Sequence, residues 1–71
     1  MWLKIKDRET EYVVNFNNII CFAKTTNCKH EPCIELVITQ GGINLVYNTE
    51  EHRDYIYESI IDKVQSIRME I

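Results

Sequence analysis

Gly41-Gly42 stands between two runs of strand-forming residues, Ile34-Glu35-Leu36-Val37-Ile38-Thr39-Gln40 and Ile43-Asn44-Leu45-Val46-Tyr47, and no other feature restricts the fold so closely. Paired glycines accept the positive φ angles of a two-residue primed turn. A hairpin is therefore expected with Gln40 opposite Ile43, Ile38 opposite Leu45 and Leu36 opposite Tyr47. Side chains alternate across a strand, so in this register one face of the hairpin is wholly apolar and has to be covered.

Segments rich in Val, Ile, Tyr and Phe recur at about 1–6, 11–16, 19–26, 33–40 and 43–47, which predicts five strands. Asp7-Arg8-Glu9-Thr10 is a polar connection between the first two. Asn17-Asn18 follows the second, and asparagine tolerates left-handed backbone. A two-residue turn there sets Phe16 against Ile19, Val14 against Cys21, Tyr12 against Ala23, and Glu11 against Lys24 as an opposite-charge pair.

After Tyr47 the pattern changes. Asn48-Thr49 offers a side-chain cap, and Glu50 and Glu51 suit the positive end of a helix dipole. Tyr57, Ile60, Val64, Ile67 and Ile71 then recur in steps of three and four, widened by Ile56 and Ile61, predicting a helix over about 50–68. Its last turns keep only a narrow apolar seam. No repeat or linker interrupts the chain, and the single proline, Pro32, falls in the longest loop. The expected fold is mainly β, or α+β: a five-stranded antiparallel meander over about 1–47, curled or forming a partly open barrel, with one C-terminal α-helix in a single domain spanning 1–71.

A chain of 71 residues is near the lower limit for one self-sufficient core, while 45% hydrophobic and 27% charged residues place it among globular proteins. A net charge of -3 provides no basic field, which disfavours nucleic acid or an anionic membrane as partner. No stretch has the length of a signal peptide core or a membrane span, and an odd set of cysteines, Cys21, Cys28 and Cys33, agrees with reduced thiols. A cytoplasmic protein without a cofactor is expected.

Cys28-Lys29-His30-Glu31-Pro32-Cys33 brings soft ligands within one loop, but a structural zinc site requires four and nothing in the sequence delivers Cys21 or His52 to it. Metal binding is not expected; if present, it would use Cys28, His30 and Cys33. His52 beside Glu51 and Asp54 has no nucleophile partner and reads as helix-start charge, so no enzyme is expected. Lys4, Lys6, Arg8 and Lys24 are offset by Asp7, Glu9 and Glu11, and lysines on an edge strand discourage unwanted pairing. Gly41-Gly42 has no following helix or Lys-Ser/Thr pair to cradle phosphate. Glu50, Glu51, Asp54, Glu58 and Asp62 form an acidic strip that reads first as a solvated helix face.

The second face of the expected sheet is not polar. It carries Val13, Ile20, Phe22, Val37 and Val46, with Trp2 beside them, more than a single helix can cover together with the first face. An interface is expected at Trp2, Val13, Ile20, Phe22, Val37 and Val46, continued by Ile67 and Ile71 on the helix tail.

The order of motifs resembles the small flagellar FlbD-type proteins and, more loosely, pleckstrin-homology-like sheets with a terminal helix. The likeness rests on an opening strand, Val14-Asn15 and Ile19, Ile34-x-Leu36 leading to Gly41-Gly42, Val46, and Thr49-Glu50-Glu51. It implies a noncatalytic intracellular protein acting through contacts, and it transfers no functional residue. The expected function is a small interaction or adaptor protein, of bacterial or phage origin, that self-associates or binds a protein partner. The alternative is a regulatory module acting on nucleic acid or on a nucleic-acid-binding protein, through the basic first hairpin or the acidic helix strip. Metal binding is a third and minor reading.

Overall fold

A computed structural model describes residues 2–64. The five expected strands are β1 (Trp2–Lys6), β2 (Glu11–Asn15), β3 (Ile19–Thr26), β4 (Pro32–Ile38) and β5 (Gly41–Val46), followed by helix α1 (Glu50–Val64). They form two antiparallel sheets, β1-β2 and β3-β4-β5, in place of one continuous meander, and among the described residues these do not close into a barrel.

The first sheet turns on Asp7, whose carboxylate accepts the N–H groups of Glu9 at 2.9 Å and Thr10 at 2.8 Å. This Asx-type turn sets Leu3 opposite Val14 and Ile5 opposite Tyr12. Alternation then buries Leu3, Ile5 and Val14 and turns Trp2, Lys4, Lys6, Glu11 and Val13 outward.

The break between sheets corrects the expected Asn17-Asn18 hairpin. The Asn15 side chain accepts from the Asn17 N–H at 3.1 Å, and Phe16–Asn18 coils into a 3₁₀ turn that leads the chain away from β2. Glu11 consequently does not meet Lys24. It lies 4.0 Å from Lys4, while Lys24 lies 3.8 Å from Asp54 on the helix.

Two further corrections concern register. Between Ile19 and Cys21 the pairing with β4 skips a residue, because Ile19 opposes Ile38 and Cys21 opposes Val37. Ile20 is thus the unpaired residue of a β-bulge, and the bulge reverses which side chains of β3 point inward. Ile19 and Phe22 pack on the core, whereas Cys21 and Ala23, expected inside, are exposed. In the β4–β5 hairpin the turn residues are Thr39 and Gln40, and Gly41 opposes Ile38. Gly41 has φ +138°, so a glycine is needed where the chain leaves the turn. Leu36 therefore faces Ile43 and Ile34 faces Leu45.

The helix begins at Thr49, whose hydroxyl accepts the His52 N–H at 3.1 Å, with Glu50 and Glu51 in the first turn. Ile60 enters a core made with Leu3, Ile5, Ile34, Leu36, Leu45 and Tyr47, and Ile56 and Tyr57 pack at its edge. Each fully buried aliphatic side chain here is worth about 1.5–3 kcal/mol of transfer free energy. The expected continuation to 68, with Ile67 and Ile71, lies outside the described residues.

Candidate interaction site

The two sheets are joined at the end of β1. Val46 donates its N–H to Asp7 Oδ2 at 3.1 Å, Arg8 donates its N–H to the Val46 carbonyl at 3.0 Å, and Tyr47 Oη donates to the Lys6 carbonyl at 3.1 Å. Burial opposes ionisation of Asp7, yet the three backbone N–H groups it accepts, aided by Arg8, hold its carboxyl below the usual value. Burial, with the Asp7 charge nearby, pushes the Tyr47 phenol up to about 12.

Ahead of this junction a groove of about 580 Å³ opens between β1 and α1. Every residue from Leu3 to Arg8 lines it, and the helix wall presents His52, Ile56, Ser59, Ile60 and Lys63. Since inward Leu3 and Ile5 alternate there with outward Lys4 and Lys6, and no β2 residue takes part, the groove looks onto the edge of β1 that β2 leaves free.

The outer face of the β1-β2 sheet is the second feature. Trp2 is 67% exposed and Val13 60%, on the same surface as Lys4, Lys6 and Glu11. Ile20, at the bulge, is 65% exposed and borders a smaller hollow formed with Phe16, Ile19, Cys21, Phe22 and Val64. The other expected contact residues lie elsewhere. Phe22 sits on the core side with its ring 5.4 Å from that of Tyr57, and Val37 and Val46 are half-buried in the second sheet.

The cysteine loop is organised by Asn27. Its side-chain oxygen accepts the N–H groups of Lys29 at 3.0 Å and Glu31 at 2.9 Å, its amide donates to the Glu31 carboxylate at 2.9 Å, and His30 takes the left-handed φ of 61°. Arg8 pairs with Glu31 and holds its carboxyl below the usual range. Cys33 is buried, its thiol donating to the Glu31 carbonyl at 3.3 Å, whereas Cys28 is exposed. The loop thus does not bring Cys28, His30 and Cys33 together, and among the described residues no group of three metal-ligating side chains is assembled.

The charged groups singled out from sequence are largely engaged with one another. Arg8 meets Glu31 and Glu9, Lys24 meets Asp54, and Asp54 of the acidic strip also accepts from Arg53 at 2.7 Å. His52 stands edge-on to Tyr47, ring centroids 5.1 Å apart. Arg53, passed over in the sequence, is buried, and its guanidinium donates to the carbonyls of Thr25 at 2.8 Å and Cys33 at 3.5 Å. Its position three, four and seven residues before Ile56, Tyr57 and Ile60 was the available signal, since that spacing shares one helix face.

Compared with known protein families, curated proteins and solved structures, the chain matches none.

Proposed function

We propose that this chain is a small noncatalytic interaction module that associates with a second copy of itself through the outer face of β1-β2. The observation that carries the reading is the exposure of Trp2 and Val13 on one surface. That surface also holds Lys4, Lys6 and Glu11, so it contains apolar groups and both signs of charge. A face that carries its own complement suits a two-fold contact, in which the same patch meets itself. The resemblance to FlbD-type proteins, which implies action through contacts, points the same way. A role on nucleic acid has less support, because Arg8 and Lys24 already pair with carboxylates and a net charge of -3 supplies no basic field.

Sedimentation equilibrium tests the reading. The wild-type chain is expected to dimerise with concentration and Trp2→Glu to remain monomeric. Trp2 is the only tryptophan, so its emission should shift to the blue as the wild-type concentration rises. A wild-type monomer at every concentration would overturn the proposal.

A further inference from the structure

We propose that the free edge of β1 receives an extended acidic segment of a partner protein, which adds as a third strand to β1-β2; this rests on the reading of the chain as an interaction module. A strand edge presents a row of unpaired N–H and C=O groups; among the described residues β1 pairs only with β2, and on its other edge the Lys6 carbonyl at the far end is taken by Tyr47 Oη, which leaves the stretch toward Trp2 for a docked strand. The groove beside that edge supplies what a docked strand needs besides main-chain bonds, namely an apolar wall for every second side chain. Side chains on the inner face of an added strand would meet Ile56 and Ile60, next to Leu3 and Ile5. Those on its outer face would flank Lys4 and Lys6.

Charge identifies the occupant. Trp2-Leu3-Lys4-Ile5-Lys6 alternates apolar and cationic residues, and Lys63 adds a further cation on the helix wall. The Lys4 contact with Glu11 is at 4.0 Å with the lysine side chain 72% exposed, so it leaves the ammonium accessible. Asp7 closes one end of the groove, but its carboxylate is occupied by three backbone N–H groups. A second β1 is a poor occupant, because antiparallel pairing centred on Lys4 would place lysine directly opposite lysine. A strand alternating apolar and acidic residues matches both rows, as β2 does in part with Glu11, Tyr12 and Val14.

The probe is a capped peptide of alternating Glu and Val long enough to span the five residues of β1, titrated into the full chain with amide NMR shifts and hydrogen exchange as readouts. Slowed exchange is expected at Lys4 and Lys6, whose N–H groups face away from β2, with shifts from Leu3 to Lys6 and along α1. Salt should weaken them. Lys4→Glu with Lys6→Glu should lower affinity about tenfold or more, and a Lys–Val peptide should restore binding to that variant. The proposal is overturned by no binding, by shifts elsewhere, or by equal binding of Lys–Val peptide to the wild type. It is also overturned if the β1 edge is already protected without peptide, by a second copy when protection grows with concentration or by the chain's own residues when it does not. Failure of the peptide with dimerisation intact would remove this inference alone; loss of dimerisation with peptide binding intact would remove only the self-association.

Discussion

Tyr47 Oη donates to the Lys6 carbonyl at 3.1 Å, across 41 residues of sequence, and so ties the end of the second sheet to the end of the first. The phenol is held neutral by burial and by Asp7, up to a pKa of about 12 against an ordinary 10.0. A group whose folded pKa is raised favours folding fully below its unfolded value. Stability from Tyr47 should therefore persist below pH 10 and decline as pH rises toward about 12. Tyr47→Phe should cost about 1 kcal/mol at neutral pH and flatten that alkaline decline, measured by urea unfolding across the range.

Arg53 is the buried cation that couples α1 to the ends of β3 and β4. Arg53→Ala should destabilise by about 2–4 kcal/mol, since the Thr25 and Cys33 carbonyls and the Asp54 carboxylate lose their donor. Arg53→Lys should recover only part of this, because an ammonium lacks the planar fork. Thermal unfolding of both variants decides it.

Phe22 and Ile20 are two residues apart yet should respond oppositely to charge. Phe22→Glu removes a ring packed on Tyr57 and the core and should cost about 2–4 kcal/mol. Ile20→Glu, at the exposed bulge, should change stability by no more than about 0.5 kcal/mol. Chemical denaturation of the pair tests the bulge directly, because an unbulged strand would give both residues the same facing and similar costs.

The thiols should separate by accessibility. Cys21 and Cys28 are exposed and Cys33 is fully buried. A colourimetric thiol reagent should modify two cysteines quickly in the folded protein and the third only after unfolding; rapid modification of all three would contradict the burial of Cys33.

Element type was legible in the sequence wherever period and composition agreed, as in the five strands and the capped helix. Pairing was less so. The β4–β5 register differs from the glycine-centred expectation by an even number of residues, so Leu36, Leu45 and Tyr47 remain inward although their partners changed. At β3 the bulge at Ile20 shifts by one, and there the expected inner face was reversed. Nothing local in Ile19-Ile20-Cys21-Phe22 marks a bulge, because all four are apolar. Asn17-Asn18 misled for a related reason: Asn15 supplied the capping oxygen and redirected the chain before a hairpin formed. The groove was not legible at all, since it depends on how β1 lies beside α1 after β2 and β3 part company.

The division into two sheets implies an order in which the molecule comes apart. A two-stranded hairpin has little stability by itself. β1-β2 is fastened to the rest at a polar latch formed by Asp7, Arg8, Val46 and Tyr47 and by the few side chains it lends to the core. Opening that latch would release β1 and β2, residues 2–15, as a leaf while β3, β4 and β5 hold, so this hairpin is where proteolysis or partner exchange would first gain entry.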